Sequence, residues 1–225
     1  MENTTADLEK ALTGLESSAW VDRQLAIEAL KTHGGNGVLP HLEKALADEN
    51  PWVRVAAAEA LAHLQGAEAT ATIARYLDVE TESQAALRVV ETLGRVGDAR
   101  ALDAMHRRLG DPHPLVAATA AWGLGRLASN ASDWEALAKA SASAPAWETR
   151  EQAVIALGKS GQHRFRPTLE AALQDGKNAV RREAAQALGR LGDPSAEAAL
   201  RSALEDRDWR VRETAKDSLA ALKKD

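Results

Sequence analysis

Six histidines, His33, His41, His63, His106, His113 and His163, are the residues of this 225-residue chain whose type suits metal binding or proton transfer near neutral pH. A helical metal site needs two of them four residues apart on one face, as in H-E-x-x-H. No two histidines here have that spacing, and none is followed by glutamate. Cysteine is absent, which removes disulfides, thiolate zinc sites and thiol nucleophiles. No G-x-S-x-G stretch supplies an activated serine, and no triad can be assembled. HGGNG, residues 33–37, has paired glycines like a phosphate loop, but no Lys-Ser/Thr follows and no strand pattern precedes it. It is expected to be a turn, and the histidines exposed or turn residues. No catalytic residue, metal ligand or cofactor site is therefore expected.

What remains is recognition, and the elements that position it repeat. The leucine of an A-x-A-L segment recurs at Leu30, Leu61, Leu93, Leu124, Leu157, Leu188 and Leu219, at intervals of 31 to 33 residues. Four residues earlier stand Ala26, Ala57, Val89, Ala120, Ala153, Ala184 and Ala215, and a glycine follows at Gly94, Gly125, Gly158 and Gly189. A weaker series, Leu15, Leu46, Leu77, Leu109, Leu173 and Leu204, closes shorter patterns such as VLPHLEKALAD, with Ser141 in the fifth place. Apolar residues at three- and four-residue spacing mark both series as amphipathic helices. Each unit thus holds a shorter first helix and a longer second one. One such pair cannot bury its stripe alone, and stacking supplies a continuous core. The alanines then act as spacers that let helices approach at the low end of roughly 8–10 Å. The expected domain is one solenoid over residues 1–225, in units of about 1–34, 35–66, 67–97, 98–129, 130–161, 162–192 and 193–225. Unit five, SNASDWEALAKASASAPAW, is poor in leucine and is expected to be the softest.

Composition agrees: 45% hydrophobic, 4% aromatic and 27% charged residues suit a helical protein rather than a sandwich or barrel. The amino-terminal MENTTADLEKAL has neither the basic nor the apolar stretch of a signal peptide, and no apolar run reaches about 20 residues. A cytoplasmic protein is expected. A net charge of -5 speaks against nucleic acid as a partner.

The units DENPWVRVAAAEALAHLQG, DGKNAVRREAAQALGRLGD and DRDWRVRETAKDSLAAL share the pattern D-x4-V-R-x2-A-A-x-A-L-G-x-[LI]-G-D in whole or part. The pattern resembles the HEAT-like repeats of the phycobilisome-lyase type, and also the artificial scaffolds built from that family. The resemblance covers essentially the whole chain. It implies an all-α, right-handed α-α superhelix of seven two-helix units, with the second helices lining a concave face. Aspartates and arginines such as Asp48, Asp175 and Asp206 with Arg23, Arg54, Arg150, Arg181 and Arg212 would form a ladder between units. Ala86 and Ala117 stand in the arginine column, so that ladder should break in the middle. Trp20, Trp52, Trp147 and Trp209 stand at turns into second helices and are expected to be apolar covers, as is Trp134 at the start of a first helix.

The resemblance also places the variable, exposed columns on the second helices. They gather Glu59, Leu87, Arg88, Glu91, Arg95, Leu115, Ala118, Trp122, Arg126, Glu151, Ile155, Lys159, Arg182 and Gln186. An acidic row with Glu28, Glu59 and Glu91 occupies the first units, and Leu87, Leu115, Ala118, Trp122 and Ile155 form an apolar centre. A basic rim carries Arg95, Arg126, Lys159 and Arg190. Trp122 has the character of a binding hot spot, though it could equally pack sideways as groove floor. The rim cations complement helix C-termini, by about 0.3–1 kcal/mol each, and would also suit an acidic peptide. The expected function is a non-catalytic scaffold for a protein or peptide. Two alternatives stay open: a bilin-lyase-like protein holding a tetrapyrrole at Trp122 with Arg95 and Arg126 on its carboxylates, and a nucleic-acid binder. The lack of any His-Glu dipeptide excludes a resemblance to deoxyhypusine hydroxylase, a di-iron HEAT-like enzyme that relies on such pairs.

Overall fold

Alanine-rich stretches with well-formed ends give helices throughout the computed structural model, which describes residues 2–34, 36–64 and 66–222. Among the described residues there are fourteen α-helices and no strands. None of these helices is long and apolar enough to cross a membrane. The chain forms two compact units, Met1–Ala104 and Met105–Asp225. The first holds α1 (Glu2–Gly14), α2 (Trp20–His33), α3 (Leu39–Ala45), α4 (Pro51–His63), α5 (Ala67–Val79) and α6 (Ser83–Val96). The boundary falls within α7 (Leu102–Arg108). The second holds α8 (Pro114–Leu127), α9 (Ala131–Ser143), α10 (Trp147–Lys159), α11 (Arg166–Ala172), α12 (Asn178–Leu191), α13 (Glu197–Ala203) and α14 (Trp209–Leu222).

Local chemistry fixes the helix ends. Pro51 and Pro114 open α4 and α8 at a position whose N–H has no helical partner in any case. The Asn50 side chain accepts from the Trp52 N–H, and Asn130 with Asp133 forms a reciprocal capping box on α9. Gly97 and Gly192 end α6 and α12 in the left-handed region, at φ 80° and 68°. In the HGGNG stretch Gly34 closes α2, and Gly35 lies outside the described residues.

The first helices are not uniformly the shorter ones. α1, α5 and α9 have 13 residues each, as many as the second helices α4 and α10. Elsewhere a three-residue 3-10 turn takes up the start, before α3, α7, α11 and α13. Asp98 and Asp193 explain two of those turns, because each side chain accepts from a backbone N–H two residues on and holds the chain tight. The turns before α3 and α11 form without such an aspartate.

Within each unit the second helices pack in succession, α2 on α4 on α6, and α8 on α10 on α12 on α14. The repeated leucines and alanines are spent here: Leu30, Ala57, Leu61, Leu93, Ala120, Leu124, Ala153, Leu157, Ala184 and Leu188 are all fully buried. The glycines set the spacing. A Cβ on Gly158 would stand 2.5 Å from the Ala187 Cβ and 2.9 Å from its Cα, and one on Gly125 would stand 2.4 Å from the Ala156 Cβ. Side chains of one carbon, or none, are what these crossings admit.

Arginines lock neighbouring repeats. Arg181 donates through Nε and Nη2 to Asp206 at 2.7 and 2.8 Å, while its Nη1 donates to the carbonyl of Asp175 at 2.9 Å. Arg150 makes the same contacts with Asp175, and Arg23 with Asp48. Each arginine therefore grips the carboxylate of the following repeat and caps the turn of its own. Arg181 holds Asp206 below the ordinary carboxylate range. Burial alone would raise Asp48 and Asp175, but the arginine and backbone donors outweigh it and both are lowered. One rung departs from the expected chemistry: Arg54 grips Glu80, at 2.8 Å through both nitrogens, and the Tyr76 hydroxyl also donates to Glu80. At the gap left by Ala86, Asp111 is taken instead by Arg108 at 2.7 Å.

The tryptophan covers need correcting. Trp20, Trp52 and Trp209 are 40%, 45% and 62% exposed, so they cover little. They stand at helix starts, where only part of an indole reaches apolar neighbours. Arg210 approaches the Trp209 ring at 5.4 Å, and Lys177 the half-buried Trp147 ring at 4.5 Å. Trp134 does act as a cover, tilted against Phe165 with centroids 6.2 Å apart.

Candidate functional site

In the first unit, α4 and α6 present five of the expected contact residues. Glu59 on α4 and Leu87 and Glu91 on α6 are half-buried, and Arg88 and Arg95 on α6 are exposed. Arg88 donates to Glu59 at 2.8 Å and to Glu91 at 3.2 Å, and Arg95 lies 4.0 Å from Glu91. Glu28 on α2 is held by Lys31 at 3.3 Å. The expected acidic row is thus neutralised by its own neighbours. Lys31, Glu59, His63, Arg88, Thr92 and Arg95 line a cavity of about 450 Å³ there.

In the second unit the remaining residues sit on α8, α10 and α12. Leu115 is 48% exposed, and Trp122 and Ile155 are half-buried. The Arg126 guanidinium lies 5.3 Å from the Trp122 ring centroid, within cation–π range. Ala118 is a correction: at 7% exposure its methyl is consumed in helix packing and offers a partner almost nothing. Arg182 is half-buried and paired with Glu183 at 2.9 Å, whereas Gln186 and Lys159 are exposed. Glu151 is half-buried, and burial and then the neighbouring Glu183 push its carboxyl above the ordinary range. Of the residues expected to form an apolar centre, Leu87 lies in the other compact unit and Leu115, Trp122 and Ile155 in this one.

Residues 8–89, 77–158 and 134–220 match HEAT repeats. The chain belongs to the HEAT-repeat family. No match was found among curated protein sequences. A chain of the structure describing Kap95p binding to RanGDP is similar, at 16% identity and a TM-score of 0.69, over 96% of this chain and 35% of that one. The CpcE–CpcF phycocyanin lyase complex from Nostoc sp. PCC7120 is similar at 21% identity, covering 97% of this chain and 83% of that one, with a TM-score of 0.45. Human deoxyhypusine hydroxylase is similar at 20% identity, covering 100% and 98%, with a TM-score of 0.46. The hydroxylase stands among similar structures despite the missing His-Glu pairs.

Two polar arrangements in these HEAT repeats escaped the sequence reading. His106 Nε2 lies 2.8 Å from Asp133 Oδ1, and Asp133 also accepts from the Ser129 and Asn130 N–H groups. His113 is half-buried, with its Nδ1 enclosed and without a partner. Of the first, only the capping role of Asp133, three residues past Asn130, was legible in the sequence. Among the described residues no group of three or more His, Asp or Glu could hold a metal ion.

Proposed function

We propose that this HEAT-repeat chain is a non-catalytic scaffold that binds a protein or peptide segment on its second helices, with its repeats acting as one array. The observation that carries this reading is the division of labour within α8, α10 and α12. The leucine, alanine and glycine columns are consumed in stacking, whereas Trp122 and Ile155 break their column and, with Lys159, remain at least partly open. A tryptophan held by a cation above its ring loses little freedom on binding, which favours affinity. Aromatic and arginine side chains are also the ones that dominate interface energetics.

A selection of displayed peptides against the wild type, followed by titration against Trp122→Ala, tests the reading. Selected peptides should lose at least about tenfold in affinity, or roughly 1.4 kcal/mol, on the variant. Peptides that bind both proteins equally would refute it.

A further inference from the structure

Gly125 meets Ala156, and Gly158 meets Ala187, in close crossings of the second unit, as Gly189 meets Ser218. These contacts fix the register of α8, α10 and α12. Arg126 directly follows Gly125, Lys159 lies three residues after Ala156, and Arg190 three after Ala187. The three cations therefore stand at one level near the carboxyl ends of adjacent helices, roughly 8–10 Å apart along the stack. Lys159 and Arg190 are exposed and make no ion pair among the described residues. That sets them apart from the first unit, where Arg88 and Arg95 face glutamates. One turn toward the amino ends lies the apolar level of Trp122 and Ile155.

On the reading that the second helices form the binding surface, we propose that their partner is an acidic peptide segment, with carboxylates along Arg126, Lys159 and Arg190 and an apolar side chain seated beside Trp122 and Ile155. Charge complementarity selects this occupant. Two unneutralised cations and a third stacked on an indole make a positive edge on a chain whose net charge is -5. A carboxylate-bearing segment is attracted to that edge on a chain that is otherwise net negative. The apolar level fixes register, since an alternating acidic and apolar segment can satisfy both levels together. Glu151, half-buried beyond the apolar level, sets the opposite limit, because a further carboxylate there would meet like charge.

The test uses the full chain and a short fluorescein-labelled peptide alternating glutamate with leucine, read by anisotropy. A glutamine-for-glutamate peptide and a single-stranded oligonucleotide serve as comparisons. The acidic peptide should bind at least about tenfold more tightly than the glutamine one, and weaken as salt screens the charges. The double variant Lys159→Glu/Arg190→Glu should lose that preference while keeping its helical circular dichroism. Equal affinity for acidic and neutral peptides overturns the inference. So does a charge reversal without effect, or binding of the oligonucleotide in place of the acidic peptide. If neutral peptides bind in a Trp122-dependent way, the scaffold reading stands and only the acidic preference falls. If no peptide responds to Trp122→Ala, the scaffold reading itself falls.

Discussion

Replacing Gly158 by alanine should destabilise the second unit, although alanine is the better helix former. In an unobstructed helix interior the change would stabilise by about 1 kcal/mol. Here the new Cβ would stand 2.5 Å from the Ala187 Cβ and 2.9 Å from its Cα, and the second of these belongs to backbone that cannot rotate away. Overpacking a well-filled core costs about 1–3 kcal/mol, and a backbone clash belongs at or above the upper end. The net expectation is a loss of about 2 kcal/mol. With a urea m-value of about 1–3 kcal/mol/M, the denaturation midpoint should fall by about 1 M. Gly176→Ala is the control, because nothing lies within 4 Å of a Cβ there, and its midpoint should hardly move. Adding Ala187→Gly to Gly158→Ala removes the 2.5 Å contact but not the 2.9 Å one, so it should restore only part of the loss. A Gly158→Ala protein as stable as the wild type would refute the argument that these glycines set the helix spacing.

Three further outcomes follow from named contacts. Arg181→Ala strands the half-buried Asp206 carboxylate and two turn carbonyls. It should cost about 3 kcal/mol in urea denaturation, and Arg181→Lys should not restore it, because a single ammonium cannot span both carboxylate oxygens and the turn. Acid should melt the ladder: Asp48, Asp175 and Asp206 have native values lowered from the ordinary one. Their stabilisation is complete above an unfolded value near about 4 and is lost as pH falls through the lowered native values, which a pH series of urea midpoints will show. Glu151 has the opposite sign, since its native value is raised. Its ionisation costs stability once pH exceeds the ordinary value, so Glu151→Gln should raise the midpoint at pH about 7 and leave it unchanged below about 4.

The period near 31 residues made the stacking columns legible, because a repeat displays its structural residues several times over. Leu61, Ala153 and Gly158 are where the pattern puts them, and each is buried. The ladder was legible through its arginines but only partly through its acids. The sequence reading paired aspartate columns with units that also carry the arginine, which missed Glu80 and Asp111, six residues before Ala86 and Ala117. Each rung crosses between repeats, so an acceptor is needed wherever the preceding repeat supplies an arginine. Arg54 therefore finds Glu80 although Glu80's own repeat has none. The tryptophan covers misled because hydrophobicity says that an indole prefers contact, not that a helix start offers any. Ala118 misled for a related reason: a variable column can still be buried when its residue is small. Asp133 was legible as part of a capping box with Asn130, but its pairing with His106 was not, since the repeat spacing fixes helices and not which polar tips meet between them.

The surface assignment is tested most directly by backbone amide chemical-shift mapping of a selected peptide on the isotopically labelled chain. Perturbations should concentrate on α8, α10 and α12 around Trp122, Ile155 and Lys159. A map confined to the first helices α9, α11 and α13 would contradict the account.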